Sequence, residues 1–221
     1  MTDGHTSSQV SAGSRPVTDD TGRQRTAIHE AGHIVVAHAL GCRVGGLTVE
    51  PGSVRAGCSS YTQAPPAAPV PDAGLPLAAW PAEWRSWAET RALIYLAGYR
   101  AAEMFAPRTG RIGPALAEQA AGLAAGLDLD RLPAAKAGER ERLAAGTGDA
   151  ALPADADEVA QIVRLVHGDV TARSEAWLRW LDEELCALLR WREPQVRRLA
   201  AAALHLGTVG AEAAARLLEQ P

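Results

Sequence analysis

The sequence His-Glu-Ala-Gly-His, residues 29–33, lies within an otherwise apolar run, TAIHEAGHIVVAHALG, residues 26–41. Apolar residues recur there at helical spacing, which predicts an α-helix with Asp19 or Asp20 as N-cap and Gly41 as its stop signal. Burying two imidazoles and a carboxylate on such a helix costs several kcal/mol unless they are paired or bind a metal. The segment is therefore either a metal site or a buried helix whose polar residues have other partners.

Helix geometry predicts different roles for the three polar residues. Side chains four positions apart lie about 40° apart around the axis, so His29 and His33 project from one face and can hold one ion. Glu30 points about 100° away from His29. This direction favours a role for Glu30 as a base that takes a proton from a metal-bound water, rather than as a direct ligand. Because so short a pattern also occurs by chance, the structural alternative stays open at this point.

A catalytic zinc site has three protein ligands and an open position for water. His38 lies nine residues after His29, about 900° around the helix, and therefore faces the opposite side. The H-E-x-x-H-x-x-G-x-x-H arrangement is absent, because positions 36 and 39 are Val and Ala. A downstream carboxylate is expected instead, and spacing alone does not choose among Glu50, Glu103, Asp128, Asp130, Asp155 and Asp157.

The remaining pattern predicts a mainly α protein (α+β) with a small β element after the first helix. Residues 44–62 alternate around Pro51 and Gly52 and predict one or two strands. Helical spacing predicts one or two helices in residues 81–105, with Pro81 in the first turn, and further helices in residues 154–220 around a Gly207 to Gly210 turn. Three tryptophans are expected to be core or interface anchors: Trp80, Trp84 and Trp87.

Two regions stand apart from these elements. Residues 1–18 lack the charged start and apolar core of an export signal and are expected to be a disordered leader. Residues 106–153 are rich in Ala and Gly and form an insertion whose shape the pattern does not define. The expected domain spans residues 19–221, with that insertion inside it.

Composition argues against several classes of function. Three cysteines without a C-x-x-C pair predict a reducing cytoplasm rather than a disulfide framework. No stretch approaches the roughly 20 uncharged apolar residues that a membrane span requires. A net charge of −4, with 22 scattered basic residues, provides no electrostatic surface for nucleic acid. Neither a membrane nor a nucleic acid is expected as a partner.

Five segments follow one another in a recognisable order: TAIHEAGHIVVAHALG, LTVEPGSVRAGCSSYTQ, LAGYRAAEMF, DADEVAQIVRLV and AAALHLGTVGAEAAARLLE. In this order and general form the chain resembles the peptidase domain of FtsH-family zinc proteases, from about residue 22 to 218 outside the insertion. The most specific elements are the His-Glu-Ala-Gly-His helix and a Gly-x-x-Ala-Ala-Glu segment from Gly98 to Glu103. The resemblance implies a zinc metalloendopeptidase with Glu30 as the catalytic base.

In that family the third ligand is an aspartate just before a helix that carries Ala, Ile and Arg at fixed offsets. Asp155 brings Val159, Ile162 and Arg164 to the matching offsets, whereas Asp157 misses them. The resemblance therefore implies His29, His33 and Asp155 as zinc ligands, with Asp157 as the alternative. Asp155 could instead simply cap its helix. Glu103 is expected on the helix surface or behind a ligand.

The chain departs from the family in having no G-x-x-x-x-G-K-[ST] phosphate loop and no membrane spans. Expected substrates are therefore flexible or unfolded polypeptides, unless a separate ATPase partner delivers folded ones. Family hexamers form partly through the ATPase ring, so a homo-oligomer is compatible with the resemblance but does not follow from it. In the family the strand in GLTVEPG, residues 46–52, borders the cleft, where an extended peptide could add to its edge.

A second interpretation belongs to another functional class. The chain could be a non-catalytic adaptor or regulatory module that keeps the FtsH-like fold and uses the metal for structure. The absence of an ATPase module favours this interpretation, because that module is the family's route to folded substrates. Glu30 argues against it, because a structural metal site has no use for a general base beside its ligands.

Overall fold

The computed structural model describes residues 20–49, 57–72, 75–106, 155–168 and 171–220. In these ranges a small antiparallel sheet accompanies a mainly helical fold, which confirms the predicted fold class. The predicted leader, and the predicted insertion apart from Ala106, lie outside the described residues. No helix in these ranges is long and apolar enough to cross a membrane. The elements are α1 Asp20–Ala39, β1 Arg43–Thr48, β2 Cys58–Thr62, α2 Ala82–Phe105, α3 Asp155–His167, α4 Thr171–Trp191, α5 Glu193–Leu206, β3 Thr208–Gly210 and α6 Ala211–Glu219.

Helices α1 and α2 pack closely at the centre of the fold. At Gly32 on α1, a Cβ atom would lie 2.6 Å from Ala101 Cβ and 2.7 Å from the Ala97 carbonyl oxygen, both on α2. The α1 backbone therefore comes so near to α2 that only glycine fits at this position. Because α1 also contacts α5 and β1, most of its circumference is buried, as its apolar sequence predicts.

Helix α2 is one continuous helix, and Pro81 occupies its N-cap position rather than its first turn. Trp84 and Trp87 are buried and lie edge to face with ring centroids 5.3 Å apart, and Trp80 is buried beside them. Trp84 Nε1 donates a hydrogen bond to the Ala68 carbonyl oxygen at 3.2 Å. The tryptophans thus anchor the core, as predicted, and fasten the proline-rich loop to the start of α2.

Helix α3 packs its apolar face on α2. The face consists of Val159, Ile162, Val163 and Val166, all buried, at the i, i+3, i+4 and i+7 spacing of an amphipathic helix. Asp155 is the first residue of α3. The packing of α3 on α2 therefore decides where the Asp155 carboxylate lies.

The sheet has the strand order β2-β1-β3, with both pairings antiparallel. For Gly46 to Thr48, the expectation that this strand offers a free edge to a peptide is wrong, while residues 50–52 of the same segment lie outside the described residues. From Gly46 to Thr48, β1 pairs with β2 on one side and with β3 on the other. The β3 strand was predicted only as a turn, because its three residues with one buried side chain, Val209, are too few to display a period.

Gly46 is required where β1 meets β3. Its φ angle is 120°, and a Cβ atom there would run into the carbonyl oxygen of Val209. We expect Gly46→Ala to lower the free energy of unfolding by about 2 kcal/mol, because it combines a strained backbone with a clash. Gly210→Ala is the control, because its Cβ atom would meet nothing within 4 Å. Denaturant unfolding measures both variants, and equal stabilities would contradict this account of Gly46.

Candidate metal centre

Three side chains each bring one atom to a common point: His29, His33 and Asp155. The two histidine Nε2 atoms lie 3.1 Å apart, and Asp155 Oδ2 lies 3.0 Å from His29 Nε2 and 3.1 Å from His33 Nε2. In a tetrahedral zinc site with metal–ligand distances near 2.0–2.1 Å, the ligand atoms lie about 3.3 Å apart. The three atoms already form a triangle of nearly this size, so the donor set fits a zinc ion.

The backbone of α2 orients His33. His33 is buried, and its Nδ1–H donates a hydrogen bond to the Ile94 carbonyl oxygen at 2.7 Å. That hydrogen bond assigns a proton to Nδ1, so Nε2, which faces Asp155, is the nitrogen that can bind a metal once it gives up its own proton. A histidine that binds a metal through one ring nitrogen usually donates the N–H of the other to a carbonyl or carboxylate oxygen in this way.

Helix α2 also provides the surface on which both imidazoles lie. A Cβ atom at Gly98 would lie 2.7 Å from His29 Nε2 and even closer to His33 Nε2. The next residue, Tyr99, packs its ring edge to face on the His29 ring, with centroids 4.8 Å apart. Gly98 leaves the space in which the ligand atoms converge, while Tyr99 limits the rotation of His29.

The charges of the cluster are coupled. Burial by itself raises the pKa of Asp155, but hydrogen bonds from His29 and His33 outweigh it and hold the pKa well below its usual range. Burial by itself lowers the pKa of His33, but contact with Asp155 and the charge of Glu30 raise it above 6.5. A metal ion must displace protons from this group, so we expect metal binding to weaken as the pH falls.

Glu30 lies beside the ligand triangle rather than within it. Its side chain is 8 % exposed, and its negative charge acts on His33. A Cβ atom at Gly57 would lie 2.9 Å from Glu30 Oε1. The backbone just before β2 thus passes close to the carboxylate, with no side chain of residue 57 between them.

The other predicted carboxylates lie apart from this cluster or outside the described residues. Asp157 is exposed and contributes no atom to the triangle. Glu103 accepts a hydrogen bond from Arg100 Nη1 at 2.5 Å, and Arg100 also binds Asp182 on α4, so Glu103 belongs to an ion-pair network. His38 is half-buried on the last turn of α1. Outside the described residues lie Glu50, Asp128 and Asp130.

Two contributors to the site were not predicted, the carbonyl of Ile94 and the ring of Tyr99. A main-chain carbonyl leaves no trace in a sequence, and a tyrosine in a helix is most simply interpreted as part of the core. The signal that could have found them is Gly98, which lies between Ile94 and Tyr99 inside α2, because glycine inside a helix is unfavourable by about 1 kcal/mol relative to alanine. Such a glycine indicates a close contact nearby.

The two candidate third ligands make opposite predictions. If Asp155 holds the metal, Asp155→Asn should lower zinc affinity by more than about 100-fold, beyond the effect typical of residues behind a ligand. Asp157→Asn is the matched control, since it removes a carboxylate two residues away on the same helix and should leave zinc affinity within about twofold. Competition with a chelator measures both, and the reverse ranking would exclude Asp155.

No protein-family model matches the chain, and no curated protein matches it either. Membership in the FtsH family stays a prediction from the order and form of the sequence segments.

Proposed function

We propose that this chain is a zinc metalloendopeptidase of the FtsH-like type that hydrolyses peptide bonds of flexible or unfolded polypeptides. The observation that carries the proposal is the convergence of His29, His33 and Asp155, with mutual distances of 3.0 to 3.1 Å, beside the buried carboxylate of Glu30. A structural zinc site fills four positions with protein ligands. In the described ranges only three converge, as a catalytic site requires.

Glu30 favours hydrolysis over the other uses of such a donor set. Two histidines and one carboxylate also bind iron in oxygenases, whose chemistry does not require a glutamate base on the same helix turn. The non-catalytic adaptor is the second candidate, and it too has no need of this side chain. Burying a carboxylate costs free energy unless it is paired. A role as proton acceptor beside the ligands would explain why Glu30 is buried despite that cost.

The proposed reaction uses each of these residues in turn. His29, His33 and Asp155 would hold zinc, which supplies Lewis acidity that polarises the scissile carbonyl and makes water easier to deprotonate. Glu30 accepts a proton from the water whose oxygen attacks the carbonyl carbon. Glu30 then delivers that proton to the amine nitrogen as the carbon–nitrogen bond breaks.

We propose that the substrate lies along β2 rather than along β1. In the described residues β2 pairs only with β1, and Gly57 just before it adjoins Glu30. An extended peptide can add to such an edge through main-chain hydrogen bonds, which recognise backbone rather than sequence. This mode suits unfolded chains of varied sequence.

The proposal also bears on the need for an ATPase, on the cellular compartment and on the oligomeric state. Folded substrates would require an ATPase that unfolds them, because residues 1–221 carry no phosphate loop. The cysteines Cys42, Cys58 and Cys186 are free thiols, which is compatible with the cytoplasm as the site of action. Assembly into a homo-oligomer is compatible with the proposal and is not required by it.

The role of Glu30 is tested by removing only its charge. We expect Glu30→Gln to keep zinc bound and to lower the rate of casein cleavage at least about 100-fold, the usual contribution of a general base. Glu103→Gln is the control, because it removes a carboxylate that pairs with Arg100 and should leave cleavage nearly unchanged. Cleavage of fluorescent casein with zinc present measures both rates. Retained activity in Glu30→Gln would exclude the mechanism, and an inactive wild type would favour the adaptor.

A further inference from the structure

A buried arginine joins α2 to the helix that begins with Asp155. Arg91 is 8 % exposed, and its Nη2 atom donates a hydrogen bond to the Tyr95 hydroxyl at 2.8 Å and lies 3.5 Å from Glu158 Oε2 on α3. Its guanidinium also lies over the Trp87 and Tyr95 rings, 5.2 and 5.3 Å from their centroids. Because arginine remains charged when buried, this position strongly favours a nearby carboxylate.

Glu158 lies on the same side of α3 as Asp155. The two residues are three positions apart, which places their side chains on one face about 4.5 Å apart along the axis. An ion pair at Glu158 therefore restrains both the height and the rotation of the face that presents Asp155. Since Asp155 is the first residue of α3, a shift of this turn moves its carboxylate directly.

The same turn of α2 also restrains the other side of the cluster. Ile94 accepts the hydrogen bond of His33 Nδ1 through its carbonyl, and the adjacent Tyr95 accepts the hydrogen bond of Arg91 through its hydroxyl. Residues 91–95 of α2 thus contact both His33 on α1 and the first turn of α3, and they fix the position of each relative to α2. The distance between His33 and Asp155 depends on both contacts.

We propose that Arg91 is a positioning residue of the metal centre, which acts through Glu158 to set where α3 presents Asp155 to the two histidines. The inference rests on the proposed metal site and adds to it a residue that supplies none of the three converging ligand atoms. A general role in stability would make the same contact without affecting the geometry of the metal. The test must therefore separate these two roles.

A second ion pair on α2 provides a matched control. Arg100 binds Asp182 on α4, through a hydrogen bond from Nε to Oδ1 at 2.5 Å and a second one from Nη2. It joins two helices as Arg91 does, but in the described residues α4 contributes no atom to the cluster. Asp182→Asn therefore reports what loss of a cross-helix ion pair does to the whole fold.

Zinc affinity by chelator competition and the visible absorption of bound Co²⁺ are measured on the full chain. We expect Glu158→Gln to lower zinc affinity about 10- to 100-fold, as for other residues behind metal ligands, and to shift the Co²⁺ bands. Asp182→Asn should keep the wild-type affinity and spectrum even if its melting temperature falls. Equal effects of the two substitutions, or wild-type behaviour of Glu158→Gln, would overturn the inference.

The controls also separate this inference from the proposed function. A wild-type protein that binds zinc and cleaves casein, together with an unchanged Glu158→Gln, would overturn the role of Arg91 alone, whereas a wild type that takes up no metal would overturn both. If Glu158→Gln does not fold, Glu158→Asp keeps the charge but withdraws the carboxylate by one methylene. A shifted Co²⁺ spectrum in that variant supports the inference, and an unchanged one overturns it.

Discussion

The close approach of α1 and α2 is the contact on which the rest of the structure depends. With only a hydrogen atom on Gly32, the α1 backbone lies against Ala97 and Ala101 of α2, and with only a hydrogen atom on Gly98, the imidazoles lie against α2. One methyl group at either position would occupy space that the partner helix or the ligand atoms now fill. The site is thus created by leaving out two side chains from a tightly packed interface as much as by adding polar ones.

Helix α3 adds two half-buried carboxylates to this interior, and each of them lies close to a basic side chain. Asp155 lies between two histidines, and Glu158 one turn later faces Arg91. Both carboxylates stand in the first turn of α3, where the partial positive charge of the helix terminus favours them. Electrostatic interactions are strong where water is excluded, so these pairs fix the orientation of α3 more firmly than its apolar face alone would.

The parts of the fold that the sequence predicted are those determined by local periodicity. Helices α1 and α2 are long and regular, and the geometry of four-residue spacing places His29 and His33 on one face. Asp155 is 122 residues from His33, so no period links them, and only the resemblance to a family pointed to it. The sequence did not predict the strand order or the short β3 strand, because both depend on tertiary packing. It did not predict the contact of Arg91 with Glu158 either, because an arginine in a helix is usually a surface charge.

Gly57 affects how sequences of this kind are to be compared. It supplies neither a ligand nor a base, yet any larger residue there would meet Glu30 and Thr26 across the gap between β2 and α1. A related chain could therefore keep both histidines, the glutamate and the aspartate and still have Glu30 displaced by one substitution at residue 57. The motif residues would then be unchanged although the activity is lost, and the difference would be visible only at residue 57.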